Sequence, residues 1–148
     1  MLTLDSVAEL SIRAEVSEVR RASAWLAEQA TRHALPEEAL TGLDLCLNEA
    51  LANVLAHGGP SARSAPIDLC FEVEDEAGRP RARLTVADAG TPFDPLAYVQ
   101  QPRPQSLAEA EPGGLGLMMM RNFAERMDYS YRDGRNRLSF GVSWSRPG

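Results

Sequence analysis

Apolar residues recur along this 148-residue chain in two periods, and the change of period marks its elements. Leu40, Leu43, Leu47, Leu51 and Val54 return every three or four residues, which predicts a helix entered at Pro36-Glu37-Glu38 and running to about His57. Leu45, Ala52 and Leu55 are apolar on its other sides, so most of its circumference should be covered. Gly58-Gly59-Pro60 stops it, and residues 61–65 read as a polar loop. An earlier stripe of Val19, Ala22, Leu26 and Ala30, with Trp25 beside it, predicts a first helix over residues 17–33, with His33 at the surface. Alternation at Leu2, Leu4, Leu10, Ile12 and Ala14 suggests one edge strand, or two short ones, ahead of it.

Downstream the period falls to two. Ile67, Leu69, Phe71 and Val73 alternate with Asp68, Cys70, Glu72 and Glu74, a half-buried strand. A turn at residues 75–78 leads into a second strand over 81–86. Residues 94–112 hold four prolines and few large apolar residues, and a loop of that length in a compact domain is functional or mobile. Gly113-Gly114-Leu115-Gly116-Leu117 opens a third helix, expected over residues 117–126 with Met118, Met119 and Phe123 inward; the Met118-Met119-Met120 run reads as core and interface filler. Strands over 128–132 and 138–144, joined by Asp133-Gly134, complete the order β-α-α-β-β-loop-α-β-β. That order predicts an α+β fold in a single domain over 1–148: a two-layer sandwich, with helices on one face of a mostly antiparallel sheet.

Charge and cysteines narrow the classes. A formal net charge of −6 gives no reason to expect a direct nucleic-acid partner. Lysine is absent, so any phosphate must be held by arginine, by backbone N–H groups or through a metal. No apolar run approaches transmembrane length and the N-terminus lacks the plan of a signal peptide, so a cytoplasmic location with no membrane partner is expected. Cys46 and Cys70 lie in apolar patterns and read as small buried hydrophobes rather than a disulfide.

Three short stretches carry candidate chemistry. Glu49 and Asn53 stand four residues apart and stack on one side of the long helix, with His57 a turn further on. A carboxylate and a carboxamide aimed at one spot can supply a base and a metal ligand together; a solvated polar stripe is the plainer reading. His57 alone suits a helix-end residue that caps carbonyls or faces solvent. Asp88, at a strand end, can accept a hydrogen bond from an exocyclic amine such as that of adenine, and Gly90 removes a side chain where a ring must come close. Gly113, Gly114 and Gly116 let backbone N–H groups and a helix dipole meet phosphate. No Gly-Lys-Ser/Thr follows, so this is no P-loop, and Met119 stands where a dinucleotide fingerprint needs its third glycine.

In this order the stretches resemble the ATP-binding domain shared by histidine kinases, gyrase and the anti-sigma-factor serine/threonine kinases. NEALANVLAHG matches the asparagine box, VADAGTPFDP the Asp-x-Gly box and PGGLGLMMMRNFAERMDYSY the glycine box. The resemblance covers residues 10–144 and is nearest the stand-alone anti-sigma-factor kinases, in size and in the Glu-x-x-x-Asn-x-x-x-His pattern. It implies a histidine-kinase-like ATPase fold that takes ATP and Mg2+. Asn53 would hold the metal and Glu49 would act as catalytic base toward a serine or threonine. His57, Asp88, Gly90 and the run Gly113, Gly114, Leu115, Gly116 and Leu117 would meet the nucleotide under a lid at about 95–112. It also implies partners: an anti-anti-sigma (STAS-type) regulator gripped through Arg20 and Arg21, and a sigma factor; a homodimer stays open. The chain departs from the family in its lid, which lacks lysine, has Arg103 as its one arginine and puts Pro112 directly before the glycines. That departure keeps a second reading alive, a nucleotide-binding module of the same fold that sequesters partners without phosphorylating them.

Overall fold

The computed structural model describes residues 6–95 and 123–145. Within them the order is β1 (Ser6–Ile12), a 3-10 turn (Val16–Glu18), α1 (Val19–Arg32), α2 (Glu37–His57), α3 (Gly59–Arg63), β2 (Ile67–Glu76), β3 (Arg79–Asp88), β4 (Arg126–Arg132) and β5 (Arg135–Ser143). The strands form one sheet in the order β1-β2-β3-β5-β4, and every neighbouring pair is antiparallel.

Alternation sorts each strand into two faces. Leu69 and Phe71 of β2, Leu84 and Val86 of β3, and Leu138 and Phe140 of β5 point inward. There they meet Leu26 of α1 and Leu43, Leu47 and Leu51 of α2, and this dry layer is the core. Burying each such side chain contributes about 1.5–3 kcal/mol, so apolar burial fixes which way the sheet faces. α2 is long and apolar enough to cross a bilayer, contrary to the sequence expectation. Its inner face is already occupied, because Leu43, Cys46, Leu47 and Leu51 are packed into the core. Its cover is also less complete than expected, since Ala52 is exposed.

Both hairpin turns are two-residue loops with both residues left-handed: Ala77 (φ 56°) and Gly78 (φ 81°), then Asp133 (φ 55°) and Gly134 (φ 76°). That geometry matches the strand twist, so β2, β3 and β5 run further into their turns than alternation alone predicted. α1 ends in a Schellman motif: Leu35 N–H donates to Ala30 C=O (3.0 Å) and Ala34 N–H to Thr31 C=O (3.3 Å), with Ala34 held at φ 53°.

Three local expectations are corrected. Residues expected as a polar loop include α3, because Pro60 sits in a first turn where its missing N–H costs nothing. The third helix cannot reach Arg126: Phe123 is helical, but Glu125 N–H donates to Gly141 C=O (2.9 Å) and Arg126 already pairs with Gly141 in β4. His33 is half-buried, its ring 6.0 Å from that of Phe71, rather than a surface residue. Both cysteines are free, as expected. Burial pushes the Cys46 thiol up to about 12 and the Cys70 thiol up to about 11, with Glu49 and Glu72 respectively adding to the effect.

Candidate nucleotide site

The last two turns of α2 and the end of β3 meet through backbone. Gly58 follows His57 directly, and its C=O accepts the Thr91 N–H at 3.0 Å. A Cβ on Gly90 would fall 2.8 Å from Gly58 Cα and 3.0 Å from Gly58 O. The two segments therefore touch only because residue 90 has no side chain. The expected reason for this glycine was the close approach of a ring; the chain's own backbone supplies a further one. His57 extends the same junction, its ring stacked on Phe93 at 5.2 Å between centroids and 17° between planes. The residue is exposed in the last turn of α2, as expected of a helix-end histidine, and the stacking on Phe93 is an addition to that.

Asp88 closes β3 and is buried. Its Oδ1 accepts the Gly90 N–H at 2.8 Å and an N–H of the Asn136 amide at 3.1 Å. Oδ2 makes no hydrogen bond among the described residues, so one carboxylate oxygen is anchored and the other is left as an acceptor. Asn136, which the sequence reading did not single out, organises the corner. It is buried on β5, directly opposite Asp88 in register. Besides Asp88, its Nδ2 donates to Gly90 C=O (3.2 Å) and Thr91 C=O (3.1 Å), and its Oδ1 accepts Phe93 N–H (3.1 Å) and the Tyr129 hydroxyl. Burial pushes the Tyr129 phenol up, partly offset by its hydrogen bond with the Phe93 backbone. The one signal in the sequence was an Asn on the inward parity of an otherwise apolar strand, between Asp133-Gly134 and Leu138.

Asn53 is buried on α2, and its Nδ2 has no hydrogen-bond partner among the described residues. A buried carboxamide N–H without a partner is costly, on the order of 1–3 kcal/mol, and points to a group that the described residues do not supply. The amide offers an oxygen to a cation or an NH2 to a phosphate, so the donor set fits both. Glu49 lies one turn earlier, partly exposed.

The structure thus joins the His57–Gly58 end of α2 to the Asp88–Phe93 segment, with Asn53 one turn and Glu49 two turns back from His57 on the same helix. Arg20 and Arg21 stand apart on α1, both exposed, with Arg21 Nη1 3.5 Å from Glu18 Oε1. Gly113, Gly114, Leu115, Gly116 and Leu117, and the lid beyond Pro95, lie outside the described residues. A groove of about 700 Å³ lined by Glu37, Phe123 and Trp144 lies at the opposite end of α2 and holds none of the expected site residues.

Comparisons with known proteins place the chain in a family. A family model described as the histidine kinase-like ATPase domain matches residues 12–141. The serine/threonine-protein kinase BtrW of Bordetella bronchiseptica is 35% identical over 115 residues, 78% of each chain. The anti-sigma F factor of Shouchella clausii is 27% identical over 90 residues, 61% of this chain and 59% of that one. Among solved structures, the RsbU and RsbW domains of Rv1364c from Mycobacterium tuberculosis superpose with a TM-score of 0.67 at 14% identity, over 96% of this chain and 33% of theirs. The SiaB–SiaC complex from Pseudomonas aeruginosa gives 0.53 at 11%, over 93% of this chain and 89% of the matched one; both likenesses are of fold. A family match over residues 12–141 and a relative 35% identical over 78% of each chain lead to one conclusion: the chain belongs to the histidine kinase-like ATPase domain family.

Proposed function

We propose that this protein is an ATP-dependent serine/threonine kinase that acts as an anti-sigma factor in a partner-switching system. It phosphorylates an anti-anti-sigma (STAS-type) regulator and sequesters a sigma factor, in the cytoplasm. The observation that carries the reading is the unpartnered buried amide of Asn53, one turn from Glu49 on the helix whose C-terminal end meets the Asp88–Gly90 segment.

Bound ATP supplies the phosphoryl group, and Mg2+ supplies charge neutralisation. The chain's own residues do the rest. Asp88 Oδ2 accepts from the adenine amine while Asn136 and Gly90 keep the carboxylate from turning. Asn53 would hold Mg2+ through its side-chain oxygen. Glu49 takes the proton from the target hydroxyl as it attacks; transfer needs only a carboxylate within reach of the nucleophile. BtrW, which shares 35% identity, is named a serine/threonine-protein kinase, and this supports the reaction class.

The test is incubation with labelled ATP and candidate small regulators of the same genome. Glu49→Ala should still bind nucleotide, while transfer falls by about 10²–10⁴-fold, the usual worth of a general base. Asp88→Asn should weaken ATP binding in calorimetry with the circular dichroism unchanged. Wild-type transfer in Glu49→Ala, or wild-type affinity in Asp88→Asn, would refute the assigned role. A second reading, a nucleotide-binding module that sequesters without phosphorylating, is favoured by the lysine-free, proline-rich stretch at 95–112. It predicts tight partner capture with no labelled product.

A further inference from the structure

The end of α2 away from the nucleotide corner carries a groove of about 700 Å³ that the proposed chemistry leaves unused. Its base is apolar: Val142 of β5 and Trp144 just beyond it are buried there, and Phe123 stands beside them 46% exposed. Its rim is acidic, with Glu37 and Glu38 from α2 and Glu125 from the approach to β4. Among the described residues no arginine or histidine lines it.

The chain itself holds these walls in place. A Cβ on Gly42 would stand 3.3 Å from Phe123 Cβ, so the missing side chain lets Phe123 sit close against α2. Trp144 N–H donates to Pro80 C=O at 3.1 Å, and Glu125 N–H to Gly141 C=O at 2.9 Å. Glu125 Oε2 accepts the Ser143 hydroxyl at 2.7 Å, while Oε1 lies 4.0 Å from Arg79 in an exposed pair that contributes little. The side chains of Glu37 and Glu38 make no ion pair or hydrogen bond among the described residues. Complementing the α2 dipole accounts for both acids in its first turn. It does not account for Glu125, which a different element brings in, or for an aromatic ring left in water next to the acids.

The groove also has a fixed relation to the candidate base. Glu38, Gly42, Glu49 and Asn53 fall on one flank of α2, because the steps between them are close to whole turns. Glu38 precedes Glu49 by about three turns, roughly 16 Å along the axis.

We infer that this groove docks the phosphoacceptor protein, through a segment that carries an arginine or lysine beside an apolar side chain, with the cation about 16 Å from the hydroxyl that receives the phosphoryl group. The inference rests on the kinase reading and adds to it a second, substrate-selecting site. Charge chooses the occupant. Carboxylates with no counter-cation in the lining draw a cation, and Phe123 and Trp144 take its methylene stem and its apolar neighbour. A neutral or acidic segment would strip water from those carboxylates and leave them unpaired. The acceptor protein is therefore bipolar, with acids toward Arg20 and Arg21 on α1 and a base toward this groove.

Transfer from labelled ATP to the regulator, measured with the full chain at low and high salt, tests the assignment. Glu38→Arg combined with Glu125→Arg should raise the KM for the regulator at least about tenfold and leave kcat within about twofold of wild type, the mark of lost uniform binding. ATP affinity should not change. Glu38→Gln combined with Glu125→Gln keeps the shape of the rim; it should raise KM about threefold and remove most of its salt dependence. Replacing the regulator's basic residues by Glu one at a time should find one, about 16 Å from the acceptor hydroxyl, that raises KM with the wild-type kinase and lowers it again with the arginine pair. Wild-type KM in both pairs overturns the docking site and leaves the kinase reading standing. A fall in kcat at unchanged KM overturns it too, since the groove would then act on the chemistry. Should the arginine pair lose the wild-type circular dichroism, the glutamine pair decides by the same criteria. A wild-type protein that transfers to no regulator refutes the kinase reading, and the docking site falls with it.

Discussion

Replacing Asn136 by Ala should loosen the nucleotide corner more than any other single truncation outside Asp88 itself. The side chain makes three donations and two acceptances, all within the described residues. Not all are lost at full value. Thr91 is exposed and Tyr129 is half-buried, so water can take over at both. Asp88 and Gly90 are buried, and their groups have no such substitute. One hydrogen bond to a charged acceptor and one or two neutral ones, less rehydration, amount to about 3 kcal/mol. That is a large part of a total stability of about 5–15 kcal/mol. For a chain of this size it corresponds to a fall in Tm of roughly 6–12 °C. Urea unfolding followed by circular dichroism gives the free energy, and calorimetric titration gives a second readout. ATP affinity should fall by at least about tenfold, because Asp88 Oδ1 keeps only the Gly90 N–H and the carboxylate can turn. A loss under about 0.5 kcal/mol would refute the network's energetic role, since water would then be an adequate substitute. A clear loss of stability with unchanged ATP affinity would show that Asn136 braces the loop without orienting Asp88.

Three further outcomes follow from particular contacts. Gly90→Ala places a Cβ 2.8 Å from Gly58 Cα, a backbone atom that cannot swing aside, so it should cost about 1–3 kcal/mol in urea unfolding and weaken nucleotide binding as the end of α2 is pushed away. Glu18 is buried, and its carboxyl is held below the usual range, chiefly by the Arg13 backbone N–H at 3.1 Å and by the Arg21 and Arg13 guanidiniums. A lowered folded value gives stability that is present above the unfolded carboxylate range and lost as pH falls through the folded one, so Glu18→Gln should lower the urea midpoint at neutral pH and lose its effect in acid. Arg20→Glu with Arg21→Glu should weaken the anti-anti-sigma-type complex by more than about 1.4 kcal/mol, read by surface plasmon resonance, while ATP affinity stays at the wild-type value.

The α2 helix, the β2–β3 hairpin and the β5 strand were legible because burial imposes a period, and a period survives in sequence. α3 was not, because Gly58-Gly59-Pro60 spells a stop in local terms and the short helix after it has one buried side chain, Ala62, and no stripe. β4 was placed two residues late because Arg126 and Met127 continue the helical pattern before them; sheet pairing with Gly141 and Phe140 overrides it. Within the site, Glu49, Asn53, Asp88 and Gly90 stood out because charge or glycine interrupted an apolar pattern. Asn136 did not, because its importance lies in partners 43 to 48 residues away, among them Phe93 and Asp88. Gly90 was found for an incomplete reason, since a Cβ there would also strike the backbone of Gly58 at the end of another element.

The β3–β5 seam also bears on how the molecule is made. Every strand pairing but this one joins sequence neighbours or encloses only helices that pack on the same core. The Asp88–Asn136 bond instead closes a span of 48 residues, an entropic cost of about 3 kcal/mol. During synthesis the first 88 residues can gather β1 to β3 and both long helices while the C-terminal hairpin is still unmade. Asp88, the proposed acceptor for adenine, is braced by Asn136 only once β5 arrives. A nascent or truncated chain can therefore collapse into a half-sheet with a helical layer and still be blind to nucleotide, and ATP, binding only the finished seam, would draw late intermediates across the last barrier by mass action.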